Sequence, residues 1–172
     1  PKTKIEANRE IQLKALTVLE ELDRICKENN LRYFLTAGTL LGAVRHSGFI
    51  PWDDDVDVAM PVKDYKKLRK IIKKELGENF FFQDDKAEKD YTFFFAKIRL
   101  NGSLVYEENL KNADIHKGVY VDIFPLDKCP RNDRIAKAYF KSIQVISCAL
   151  LSKINPDFVC EYKKTSAKLI VK

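Results

Sequence analysis

Residues 53–57 read Asp-Asp-Asp-Val-Asp and run straight into Val58-Ala59-Met60, with Phe49-Ile50-Pro51-Trp52 just ahead of them. Apolar flanks of this kind place the four carboxylates at the edge of a core, where an unpaired charge is expensive. Carboxylates this close also repel one another, and some are driven to hold protons unless a cation neutralises them. Val56 to Met60 reads as a strand ended by Pro61. Along a strand residues two apart share a side, which puts Asp53, Asp55 and Asp57 on one side and Asp54 on the other. A D-x-D pair on one side can clasp a hard cation. Magnesium takes oxygen ligands, keeps positions open for substrate phosphates, and polarises a phosphoryl oxygen during in-line displacement. A calcium loop does not fit. Counting from Asp53, the sixth position is Val58 rather than Gly and the twelfth is Asp64 rather than Glu. The bland alternative is a solvated acidic loop or a helix cap.

Around this run the pattern alternates between helix and strand. Ile11, Ala15, Val18, Leu22 and Ile25 recur at three- and four-residue steps and predict a helix from Ile5 to Asn29. Leu31–Thr36 reads as a short strand, Thr39–Arg45 as a short helix opened by Gly38, and Val62–Leu76 as a lysine-rich amphipathic helix stopped by Gly77. Strands are predicted at Phe80–Gln83, Tyr91–Leu100 and Leu104–Tyr106, the last two joined by an Asn101-Gly102 hairpin signal, and at Val119–Phe124, ended by Pro125. Helices follow over Asn132–Ile154 and from Phe158 to about Val171. The expected class is α/β (α+β): a mixed sheet flanked by helices, in one domain. Within it, 1–30 is an N-terminal helix, 31–128 the catalytic core and 129–172 a helical extension. The last helical pattern has no cap, so a longer protein is expected.

At 172 residues and 45% apolar content the chain can bury a core without disulfides. Cys26, Cys129, Cys148 and Cys160 lack C-x-x-C spacing, which argues against structural zinc. No apolar run of about 18 residues and no secretory pattern occurs, so the expected compartment is the cytosol. The formal charge of +6 suits an acidic partner such as phosphate groups or an anionic membrane surface, although solvated lysines explain it equally well.

Phosphoryl-transfer metal sites need a further carboxylate from a distant segment. Asp122, the lone charge in the apolar strand of Gly118-Val-Tyr-Val-Asp-Ile-Phe124, is the best candidate; a lysine or arginine neutralising it is the alternative. Gly38 and Thr39, at a helix start after a strand, offer backbone N–H groups to an anion. Arg45 and His46 can touch a phosphate or base, or simply close their helix as cations. Lys97 and Arg99 alternate along a strand and can bring positive charge to a diphosphate. Trp52, Tyr91, Phe94 and Tyr120 read mostly as core; their rings can cage a quaternary ammonium if the cargo carries one.

Read together, the stretch from Arg32 to Pro61 and the later His116-Lys-Gly-Val-Tyr-Val-Asp-Ile-Phe-Pro-Leu-Asp127 closely resemble the LicD family of phosphocholine transferases, with the fukutin-type polyol-phosphate transferases more distant. The resemblance covers about Ile11 to Asp127 and thins in the C-terminal helices. It implies a nucleotidyltransferase-like fold of the DNA polymerase beta superfamily. It also implies transfer of a phospho-alcohol from a CDP-activated donor such as CDP-choline to a hydroxyl of a cell-surface glycan or lipid-linked saccharide, with release of CMP. On this chain it makes Asp55, Asp57 and Asp122 the metal ligands, for two Mg2+ ions or Mn2+ in their place. Asp122 is also a base toward the acceptor, and Gly38 and Thr39 form the phosphate turn. Arg45, His46 and Lys97 fill out the donor site, and no nucleic-acid partner is implied. The setting is cytoplasmic, peripheral to the inner face of the membrane. Two departures stand out: family members continue well past this length, and Ala37 replaces a common second glycine. A nucleotidyltransferase releasing pyrophosphate and a non-catalytic nucleotide- or glycan-binding module are the competing readings.

Overall fold

A computed structural model describes residues 4–107 and 113–154, and the helix expected after Phe158 lies outside them. The first helix, α1 (Lys4–Glu28), carries its apolar residues on one stripe, and Ala15, Val18, Leu22 and Ile25 are all fully buried. Its solvent side is laced by i,i+3 and i,i+4 ion pairs, among them Lys14–Glu10, Arg24–Glu28 and Lys27–Asp23. A two-residue strand, β1 (Phe34–Leu35), leads into α2 (Ala37–His46), and β2 (Asp57–Pro61) passes directly into α3 (Val62–Glu75). Then come β3 (Phe80–Gln83), β4 (Ala96–Leu100), β5 (Tyr120–Leu126) and α4 (Asp133–Ile154).

The five strands form one mixed sheet in the order β1-β2-β5-β4-β3, in which β2 and β5 run parallel and every other neighbouring pair is antiparallel. The alternation of the strands sorts their side chains by face. Val58, Met60, Val121, Ile123, Ala96 and Ile98 lie on one face and are buried with the apolar stripes of α1 and of α3, where Leu68 and Ile72 are fully covered. The opposite face takes Asp57, Asp122, Lys97 and Gln83, which the strand register places side by side across four strands.

Three expectations about the strands are corrected. Tyr91–Phe95 is not strand: β4 starts at Ala96, its pairing with β3 ends at Lys97–Gln83 and its pairing with β5 ends at Ala96–Ile123, although β5 itself runs on to Leu126. Those residues instead build a run of ring contacts, Tyr91–Phe93, Phe93–Phe95 and Phe95–Phe124. Leu104–Tyr106 is not strand either: both edges of β4 are taken by β3 and β5, and Leu104 and Tyr106 end up exposed. The turn at Asn101-Gly102 does form, with Gly102 at φ 70°. Pro125 does not end β5 but pairs with Met60. Asp122 N–H donates toward β2, to Val56 O at 2.8 Å, so by alternation Pro125 turns its missing N–H toward the β4 side, where pairing has stopped at Ala96–Ile123.

Candidate active site

The acidic run is held in place from three directions. Ile50 to Asp53 closes a turn, with Asp53 N–H donating to Ile50 O at 3.0 Å. From α1, the side-chain amide of Gln12, only 3% exposed, donates to both Ile50 O (3.0 Å) and Asp53 O (2.7 Å). From α2, Thr39 Oγ1 accepts the Asp57 N–H at 2.9 Å, while Thr36 N–H donates to Asp57 O at 3.1 Å. Asp53, Asp55 and Asp57 are half-buried and Asp54 is exposed, as strand alternation requires.

The first turn of α2 faces this run. Thr36 provides no side-chain cap, the turn carries no acidic residue, and the first N–H to find an acceptor is that of Leu40, on Thr36 O at 3.0 Å. A Cβ on Gly38 would lie 2.6 Å from Asp53 Oδ2, so only glycine lets the Asp53 carboxylate rest against the helix start. Ala37 takes φ 47°, a left-handed conformation that glycine adopts without steric cost. Arg45 and His46 sit at the other end of the helix, exposed, with Arg45 Nε 3.3 Å from His46 Nδ1 and the His46 ring edge-on to Trp52 at 6.4 Å.

Asp57 and Asp122 are register partners on adjacent parallel strands, and Lys97 is the partner of Asp122 on its other side. Lys97, 3% exposed, sets its ammonium 2.8 Å from Asp122 Oδ1 and 4.0 Å from Glu107 Oε2, over the Tyr120 ring at 3.5 Å. The neutralising lysine considered for Asp122 is therefore present, and it is Lys97. Behind it Arg99, fully buried, donates to Gln83 Oε1 (2.6 Å), Gly118 O (2.8 Å) and Glu107 Oε1 (3.1 Å). Burial pushes Asp57 up to about 6, helped by the neighbouring Asp55 and Asp122 carboxylates and opposed by Lys97. It also raises Asp122 to about 6, against the pull of Lys97. Asp55 and Asp53 shift upward as well, chiefly through burial and then through their acidic neighbours. Lys97 shifts downward because burial outweighs the attraction of Asp122 and Glu107.

This is an all-oxygen donor set under electrostatic strain. Asp122 Oδ1 is buried and, apart from the charge contact with Lys97, has no hydrogen-bond partner. Among the described residues no three His, Cys, Asp or Glu side chains already close around a common point. Asp57 and Asp122, with Asp55 alongside, are the oxygen ligands that could hold a hard divalent cation from the open side. Gln12 is the residue holding the acidic turn that the sequence reading missed, and Glu107 and Gln83, beside Lys97 and Arg99, were missed with it. The only trace of Gln12 is a polar side chain next to the apolar stripe of α1.

Comparison with known proteins identifies the family of the chain. The model of the LicD/FKTN/FKRP nucleotidyltransferase domain matches residues 30–144. The chain belongs to this LicD family. The lipopolysaccharide cholinephosphotransferase LicD of Haemophilus influenzae is 32% identical over 128 residues, 74% of this chain and 47% of that protein. The ribitol 5-phosphate transferase FKRP of Mus musculus is 32% identical over 111 residues, 62% of this chain and 19% of that protein. The chain thus spans about half the length of the Haemophilus relative and less of the mouse one. The LicD domain match begins just after α1, so Gln12 lies outside the matched segment although it fastens the acidic turn.

Proposed function

We propose that this LicD chain is a phosphotransferase moving phosphocholine, or a related phospho-alcohol, from a CDP-activated donor to a glycan or lipid-linked saccharide hydroxyl, with release of CMP. The observation that carries the reading is the pairing of Asp57 with Asp122 across β2 and β5, beside the uncapped first turn of α2. Asp55, Asp57 and Asp122 would hold divalent magnesium or manganese, which when bound offsets the charge of the donor diphosphate. The free N–H groups of Gly38 and Thr39 bind a phosphate oxygen, and Thr39 at the same time keeps Asp57 in register. The acceptor oxygen attacks the donor's β-phosphorus in line, the bond from phosphorus to the CMP oxygen breaks, and Asp122 takes the acceptor proton. Lys97 beside Asp122 balances its charge until that proton is taken. Positioning and fixed charge supply most of the rate in such transfers.

Arg45 and His46, exposed near Trp52 at the far end of α2, would meet the outer, nucleoside part of the donor. A cytoplasmic setting at the inner membrane face follows from the CDP donor and suits the net charge of +6. The assay is direct: CDP-choline, magnesium and a glycan acceptor are incubated with the chain, and the released product is identified. CMP supports the reading, whereas pyrophosphate assigns a nucleotidyltransferase. Asp57→Asn is expected to slow CMP release at least about a hundredfold; an unchanged rate would sink the assignment.

A further inference from the structure

The lysines of α3 form a surface that the proposed chemistry leaves unused. Lys63, Lys66, Lys67, Lys70, Lys73 and Lys74 are all exposed, and at about 100° per residue they fall on one arc of roughly 120°, opposite the buried Tyr65, Leu68 and Ile72. Because α3 covers the apolar face of the sheet, this arc lies behind the sheet from Asp57 and Asp122. A solvated helix face ordinarily interleaves opposite charges, as α1 does with Lys14–Glu10, Arg24–Glu28 and Lys27–Asp23. On α3 the lysines instead stand three and four residues apart, a spacing at which like charges repel. Asp64, in its first turn, is buried and paired with Arg32 at 3.0 Å. Lys67 donates to Asn29 O at 2.7 Å, and among the described residues none of the six lysines has an ion pair.

The carboxylates beside this arc are withdrawn as well. Arg69 Nη2 bridges Asp84 Oδ2, at 2.6 Å, and Asp85 Oδ1. Between α3 and the end of β3, Lys66, Lys70, Lys73 and Lys86 rim a groove of about 460 Å³ that has the buried Phe82 in its wall, and its one carboxylate, Asp84, is the one that Arg69 neutralises. We infer that the lysine arc of α3 docks the chain on an anionic lipid bilayer, with this groove taking a phosphate headgroup. Roughly four to eight basic residues on one helix face match the diffuse negative potential of such a surface. A nucleic acid is the poorer match, because no exposed ring on the arc offers bases a stacking platform and the guanidinium beside it is already held by two carboxylates. The inference goes beyond the transferase reading, which uses neither these lysines nor this groove.

The test is co-sedimentation of the 172-residue chain with vesicles of phosphatidylcholine alone, or with about one third phosphatidylglycerol, at about 50 mM salt and again at about 500 mM. Binding to the anionic vesicles is expected to be at least about tenfold tighter than to the neutral ones and to be lost at the higher salt. Lys66→Gln, Lys70→Gln and Lys73→Gln combined should weaken it about a hundredfold, at roughly fivefold per lysine. Lys14→Gln, Lys27→Gln and Lys141→Gln combined change the net charge equally on other helices and should weaken it less than about tenfold. Without vesicles, CMP release by the α3 variant should equal that of the unmodified chain, so docking and transfer are read separately. No binding to anionic vesicles, equal binding to neutral ones, or equal weakening by the two sets of substitutions overturns the inference. Displacement of the vesicles by a DNA duplex at equal phosphate concentration overturns it too and assigns the arc to nucleic acid.

Discussion

Three residues of α2 and its approach have distinct physical roles that substitution separates. At Gly42 a Cβ would meet Gly48 O at 2.6 Å and Ile50 N at 3.1 Å, backbone atoms that cannot swing away. Gly42→Ala is therefore expected to cost about 1–3 kcal/mol in urea unfolding. At Gly38 the obstacle is Asp53 Oδ2, the end of a side chain. Gly38→Ala should leave stability within about 1 kcal/mol but displace Asp53 and weaken Mn2+ binding, as read by titration. Ala37, at φ 47°, carries the left-handed penalty of about 1–2 kcal/mol for a residue with a Cβ. Ala37→Gly recovers this, less the roughly 0.4–1 kcal/mol of added freedom in the unfolded chain, and a small rise in Tm is the expected outcome.

At the scale of elements, α1 belongs to the same folded unit as the acidic run although the matched domain begins after it. It packs against β4 and β5 and carries Leu22, fully buried. Leu22→Ala should destabilise the chain by about 3 kcal/mol in the same unfolding assay. Gln12→Leu keeps the volume but removes two donors from Ile50 O and Asp53 O. It should speed amide exchange across residues 50–57 without affecting β4 and β5; unchanged exchange there would show that the turn holds itself. α1 and α3 were legible from sequence because a three- and four-residue apolar rhythm is local information. Residues 91–95 and 104–106 were misread as strands because pairing depends on which neighbours reach them, and no local pattern records that.

For the whole molecule the decisive feature is the row Asp57, Asp122, Lys97 and Gln83, drawn from four strands. Two of its carboxylates titrate near 6 in the folded chain, against an ordinary value of 3.8. Between those values the folded state holds protons that the unfolded state has released, so this contribution to stability is present at low pH and is lost as pH rises through 6. The metal-free chain should accordingly melt at higher temperature at about pH 5.5 than at about pH 7.5, provided these groups dominate over that interval. Magnesium should raise the Tm at the higher pH and progressively less toward pH 5, where protons compete for the same oxygens. A magnesium effect that grows on acidification would contradict the carboxylate site. Lys97→Met leaves Asp122 buried without its counter-charge and should cost about 3 kcal/mol at neutral pH.

The sequence by itself determined the helices among the described residues, the class of fold and the crowding of charge at the acidic run, because composition, periodicity and mutual repulsion are properties of neighbouring residues. It also singled out Asp122 as a charge out of place in an apolar strand. Only the tertiary structure decided that Asp122 stands beside Asp57, since strand register is a relation between distant segments. The same holds for the burial of Lys97 against Asp122, for Gln12 reaching across from α1 to the turn, and for the meeting of Phe124 with Phe95. Each depends on which surfaces close on one another to exclude water, and that is settled by the packing of the whole chain rather than by any stretch of it.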